Sequence, residues 1–306
     1  MTLDEDDVTN LQKKGCYGYI RKITLMTTVN PFQPYNPTPP NMFAGRLSEI
    51  SIFEDCLHHT KNNSPKHLLI TGERGIGKSS LLALFKHLSD GSIKPMNFDK
   101  FNFYSINLQI SNDTNLFNFV ELIHTNLSRE LTGIAALNNW IKAAWSFKDK
   151  VTILNSSIDE KKPTENIDIL MDSFAHNLSE TSKKITNFHN SKLNNDSKDG
   201  IVIFLDEADN ASDNLKLGYF IKTITEKLHQ NNCTNVMFVL AGLPDIIEKL
   251  STSHHSSIRI LRQLKIKELN VEDRIAVIDK AINSDGQKQI TSEARNIIST
   301  LSEGYP

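Results

Sequence analysis

The chain has 306 residues, a net charge of −2, and 23% charged and 39% apolar residues. That is an ordinary profile for a soluble globular protein of one large or two modest domains, with no global basic field for clamping duplex DNA. No apolar run approaches the roughly 20 residues of a membrane span, which excludes a membrane partner, and the acidic start Met1 to Asp7 lacks the apolar core of a signal peptide.

Residues 1–41 read as an extension. Tyr17 to Val29 has strand-type residues, and residues 31–40 then hold half of the chain's ten prolines, so they run extended as a linker. The cysteines Cys16, Cys56 and Cys233 lie far apart with no CxxC spacing, which suits buried or free thiols in a reducing cytoplasm. Met42-Phe43-Ala44-Gly45-Arg46 precedes a helical pattern through Ile50, Phe53 and Leu57. Phe43 either packs on a purine or staples that helix.

The strand His67 to Thr71 ends in Gly72-Glu73-Arg74-Gly75-Ile76-Gly77-Lys78-Ser79, with Ser80 next and an apolar helical stripe at Leu81, Leu82, Leu84, Phe85 and Leu88. Strand, glycine loop and helix in that order form a P-loop. Glycines let successive N–H groups turn inward on a phosphate, and the helix adds the positive end of its dipole. Lys78 reaches the β- and γ-phosphates of a bound nucleotide, and the Ser79 hydroxyl ligates Mg²⁺.

Phe101 to Ile110 alternates like a strand, and Leu116 to Leu131 carries a helical stripe ended by Gly133. A further helix through Ile134, Leu137 and Ile141 carries Trp140, with Trp145 close after, both suited to core packing. Residues 148–164 are loop-like, Ile167 to Phe188 suggests a long helix, and residues 190–200 read as an exposed loop. The stretch 111–199 exceeds one crossover helix, so it is an elaboration on one side of the core.

Ile201 to Leu205 is an unbroken apolar run ending in Asp206-Glu207. Such a run fits a strand buried on both faces of a parallel sheet, with its acids at the ligand-binding end. Asp206 holds Mg²⁺, Glu207 serves as the general base for an attacking water, and Asp209 reads as a helix cap or loop residue. Asn235 to Ala241 is a further buried strand. Arg259 and Arg262 precede the strand-like Leu264 to Glu268, and His254-His255 reads as exposed loop. Helices follow from Val271 and Ser292, before Gly304-Tyr305-Pro306.

The box Phe43-x-Gly45-Arg46, the P-loop, the acid pair and Leu240-Ala241-Gly242-Leu243-Pro244 together resemble AAA+ superfamily ATPases, on the branch shared by initiator-like and STAND-type ATPases. The resemblance covers roughly residues 42–303. It implies a three-layer α/β/α parallel sheet with strands 67–71, 101–110, 201–205, 235–241 and 264–268. The P-loop strand would be central, beside 235–241, and a helical lid would begin at residue 270 and continue in a longer protein. It implies ATP and Mg²⁺ as ligands and places Met42, Phe43, Gly45 and Arg46 near the base. Arg259, with Arg262 second, takes the position of an arginine that reaches a neighbouring subunit's γ-phosphate; the alternative is a surface arginine. The position usually held by Asn, Ser or Thr on the fourth strand is here Ala241-Gly242, a departure from the pattern. The implied roles are an oligomeric switch or remodelling motor, a nucleic-acid-associated ATPase, or a low-turnover signalling scaffold; the partner is a second copy or another protein.

Overall fold

A computed structural model describes residues 36–131, 163–187, 198–283 and 290–306. Five parallel strands form one sheet: β1 (His67–Thr71), β2 (Phe103–Gln109), β3 (Gly200–Asp206), β4 (Val236–Gly242) and β5 (Leu261–Lys265), in the order β2-β3-β4-β1-β5. The continuous apolar runs take the interior. Every residue of β1 and β4 is buried, as is all of β3 before Asp206. The P-loop strand does lie beside β4, but it is one strand from the edge rather than central, because only β5 lies beyond it.

The period-2 alternation of side chains sends each strand's residues to two cores. On one face Val236, Phe238 and Leu240 of β4 meet α3 (Leu116–Leu131), α4 (Pro163–Asn187), α5 (Leu217–Gln230) and α6 (Ile246–Ser253). On the other, Met237, Val239 and Ala241 meet α1 (Leu47–Lys61) and α2 (Lys78–Ser89). Phe53 of α1 and Phe85 of α2 stack there with centroids 3.9 Å apart. Each such buried ring contributes about 1.5–3 kcal/mol.

Beyond the sheet, α7 (Val271–Asn283) and α8 (Ser292–Leu301) pack together. Arg274 fastens them by donating to the carbonyl oxygens of Leu269 at 2.8 Å and Ser299 at 3.2 Å. The last strand begins three residues earlier than the sequence suggests. Leu261 and Leu264 point inward while Arg262 and Gln263 are exposed, as suits an edge strand. Arg262 therefore lies within β5, not before it. The extension around Tyr17 to Val29, the helix through Ile134 and both tryptophans lie outside the described residues.

Candidate nucleotide site

The P-loop leaves the carboxyl end of β1 with its shape set by glycine. Gly75 and Gly77 have φ of 80° and 96°, which side chains rarely adopt. Gly77 caps α2 without a side-chain bond, so the first N–H groups of that helix stay open to an anion. Ile76 is buried and anchors the loop in the core. Lys78 Nζ donates to the carbonyl oxygens of Gly72 and Glu73 at 2.7 and 2.8 Å. Burial pushes its pKa down, and the charges of Asp209, Asp206 and Glu73 oppose that. Glu73, Arg74 and Ser79 are exposed.

β4 separates β1 from β3, so Asp206 stands one strand away from the loop. Its Oδ1 accepts the Glu207 N–H at 2.9 Å. Glu207 does not continue the strand. It turns left-handed at φ 52° and opens a 3-10 turn at Ala208–Asn210. Its Oε2 accepts from Gln109 Nε2 at 2.6 Å and Asn210 Nδ2 at 3.2 Å. The sharp turn, not strand alternation, aims this carboxylate, and it aims it at the end of β2.

Ser79 and Asp206 offer Mg²⁺ a hydroxyl and a carboxylate. No group of three or more acidic, His or Cys side chains among the described residues forms a self-sufficient cage. That donor set fits Mg²⁺, which is held by one or two protein oxygens together with substrate phosphates and water.

The box before α1 lies against this loop. Phe43 is half-buried against the α1–α2 core, which matches the stapling alternative, and its carbonyl accepts from Lys280 at 2.6 Å. Arg46 is turned into the protein. It is 4% exposed and left-handed at φ 58°. Its guanidinium donates to the Ile76 carbonyl at 2.8 Å, the Lys267 carbonyl at 3.1 Å and Glu49 at 3.2 Å. Arg46 thus braces the P-loop against the exit of β5, with its fork satisfied by protein. Gly45 gives passage to Asp273 of α7, which would lie 2.8 Å from an added Cβ. Ser80 Oγ accepts the Thr38 N–H at 3.0 Å, pinning the proline-rich segment to α2.

Two neighbours of the loop were not legible as such. A Cβ on Gly77 would come within 3.2 Å of Pro306, and one on Gly75 within 3.8 Å of Tyr305. Gly304, at φ 90°, makes this return possible, and its carbonyl accepts the Leu269 N–H at 2.9 Å. In sequence, Gly304-Tyr305-Pro306 signals only a helix boundary.

Arg259 sits exposed in a 3-10 turn, Ile258–Ile260, before β5. Leu261 pairs with His67 at the amino end of β1, so Arg259 lies at the end of the sheet opposite the P-loop. Four strand rises of about 3.3 Å separate those ends, beyond reach of this chain's own site. Arg262 is committed to Asp55 of α1 at 2.6 Å.

A glycine loop and lysine on one interior strand, facing an acid pair across a second in a parallel sheet, define a P-loop ATPase of the AAA+ class. The family described as AAA ATPase domain matches residues 42–230, more than half of the chain, and the chain belongs to it. That family is one of ATPases. Among solved structures it is similar to the Walker-type ATPase PABY2304 of Pyrococcus abyssi, at 12% identity over 86% of this chain and 65% of that one, with a TM-score of 0.50. It is also similar to the ORC1 protein of Aeropyrum pernix in complex with DNA, at 12% identity over 85% and 55%, with a TM-score of 0.45. At such identity the first likeness speaks to fold alone. The chain spans 65% and 55% of the lengths of these two proteins. No curated protein matches it.

Proposed function

We propose that this chain is a Mg²⁺-dependent ATPase that works as a switch between copies of itself. The observation that carries the reading is the position of Glu207. The acid suited to activate water is held by Gln109 and Asn210, so a change at the end of β2 governs whether it is available. Lys78 and the P-loop amides would hold the phosphates, and Ser79 and Asp206 would hold Mg²⁺, which neutralises charge on the transferring phosphoryl group. Arg259 is out of reach of its own P-loop and exposed, which supports its service to a neighbouring copy. No helix among the described residues is long and apolar enough to cross a membrane.

The test is turnover against protein concentration. Lys78→Ala abolishes ATP binding. Glu207→Gln binds ATP and loses turnover about 1,000-fold. Arg259→Ala keeps binding and loses the rise of specific activity with concentration. Equal turnover by the Glu207 variant and the parent removes the base assignment; specific activity independent of concentration removes the action between copies.

A further inference from the structure

A phosphate-binding loop works only if its N–H groups point at the phosphate, and in this chain one of them is aimed by a side chain from outside the loop. Peptide units are planar and trans, and none is cis among the described residues. The carbonyl of Ile76 and the N–H of Gly77 share one such plane, so they point in opposite directions. The carbonyl has a set direction, because it accepts from Arg46 Nη2 at 2.8 Å in a buried hydrogen bond. The Gly77 N–H therefore points away from Arg46, and no acceptor among the described residues takes it. Next to it in the chain are the uncapped first N–H groups of α2.

The surroundings make this aim rigid. Ile76 is 1% exposed, and a Cβ on Gly72 would lie 3.0 Å from both Ile76 Cγ2 and the Ile266 carbonyl oxygen. The Ile266 N–H donates to the Thr71 carbonyl at 2.7 Å, where β1 gives way to the loop. One residue on, the Lys267 carbonyl accepts from Arg46 Nη1 at 3.1 Å. One planar guanidinium thus holds the far side of the loop and the exit of β5 at a set separation, which a single ammonium does not do. A cation on the carbonyl oxygen also polarises the peptide, which strengthens the N–H on its other edge as a donor.

We propose that Arg46 is a positioning residue for polyphosphate: through the 76–77 peptide it turns the Gly77 N–H onto the bound phosphate. This rests on the ATPase reading above. Arg46 touches no ligand itself, and its effect reaches the phosphate through one main-chain unit.

The parent protein supplies the first measurement. With isotope-labelled glycine and arginine, addition of inorganic tripolyphosphate and Mg²⁺ moves the Gly77 amide proton downfield and shifts the Arg46 guanidinium resonance with it. If either stays in place while tripolyphosphate binds, the assignment is overturned, and this arm needs no variant. The second measurement is affinity for tripolyphosphate and for a non-hydrolysable ATP analogue. Arg46→Met removes the donors and keeps the apolar stem. Phe220→Leu, in the core on the other face of the sheet, lowers stability without touching the loop. We expect R46M to bind both ligands about 30-fold more weakly, by the same factor for each, and F220L to bind both as the parent does. Tripolyphosphate bound as tightly by R46M as by the parent overturns the proposal and leaves the ATPase reading standing. Equal weakening in F220L overturns it too, since lost stability then explains the effect. If the parent binds neither ligand, the ATPase reading itself fails, and the role of Arg46 fails with it.

Discussion

At the phosphate end of the cleft the main chain supplies the shape; at the end beside α7 a side chain does. The P-loop needs glycine at positions 75 and 77 for positive φ, and its ligand groups are largely backbone N–H donors. Across the cleft, the 43–46 box, α7 and the exit of β5 have no shared backbone ladder. They are joined by Arg46, by Asp273 accepting the Arg46 N–H at 3.4 Å, and by Lys280 on the Phe43 carbonyl. A loop built from backbone tolerates change at its exposed side chains, such as Glu73 and Arg74. A joint built from one buried guanidinium does not tolerate loss of that guanidinium.

The largest expected effect follows from that contrast. Arg46→Ala strands the buried carbonyl of Ile76 and the partly buried one of Lys267, at about 1–3 kcal/mol for a buried acceptor left unpaired and less for the other, so roughly 3–4 kcal/mol in all with the lost packing. Arg46→Lys recovers little, because one ammonium does not span both carbonyls as a planar fork does. Urea unfolding measures the loss, and nucleotide titration of the surviving folded protein shows weakened binding through the displaced Ile76. An Arg46→Ala variant within about 1 kcal/mol of the parent breaks the comparison, for the α7 end would then hold together without its hub.

A control lies at the opposite end of β1, away from both. His67 is buried, its Nδ1 accepts the Phe238 N–H at 3.1 Å, and burial lowers its pKa to about 4. The folded state therefore refuses a proton that the unfolded chain accepts near pH 6.5. The sign follows: above pH 6.5 the residue costs nothing, and as pH falls from 6.5 to about 4 the unfolded state alone is protonated and stability drops. Two and a half pKa units correspond to about 3 kcal/mol. Urea midpoints at pH 7 and pH 4 should differ more for the parent than for His67→Gln by about that amount. An identical pH dependence in both would mean that His67 is protonated without cost. The site should be indifferent to this change at pH 7, which keeps fold and cleft effects apart.

How much of this was readable from the sequence divides along the same line. β1, β3 and β4 were legible because strands buried on both faces are continuous apolar runs, and the P-loop because its φ angles demand glycine at fixed spacing. β5 begins three residues before the run legible in sequence because this edge strand sends only Leu261 and Leu264 to the cores, one to each face, and a spacing of three does not read as strand alternation. The partners of Arg46 are not legible in sequence: they are carbonyls 30 and 221 residues away, and every residue type carries a carbonyl. The acid pair is legible at the end of its apolar run, yet the hold of Glu207 on Gln109 depends on a left-handed turn at a non-glycine residue, which leaves no compositional trace. Asp209 reads as a helix cap or loop residue and lies in a 3-10 turn, but its partner, the Leu243 N–H, belongs to another strand's end and has no trace in the sequence.

The smallest effect sharpens the comparison most finely. Lys280 is exposed on the last turn of α7, and its Nζ donates to the Phe43 carbonyl. A solvent-exposed charged donor exchanges this bond for water at little net cost, and its charge near a helix carboxyl end adds a few tenths of a kcal/mol. Lys280→Ala should therefore cost about 0.5 kcal/mol, within reach of a careful urea series. Arg46→Ala and Lys280→Ala combined should then be close to additive, because Lys280 acts on the Phe43 carbonyl while Arg46 acts on those of Ile76 and Lys267. If instead the Lys280 change alone costs as much as the Arg46 change, the α7 end is a distributed clamp and Arg46 is one part of it. If the double variant loses clearly less than the sum, the two bonds share one rigid unit, and α7 reads the P-loop through Phe43 as well as through Arg46.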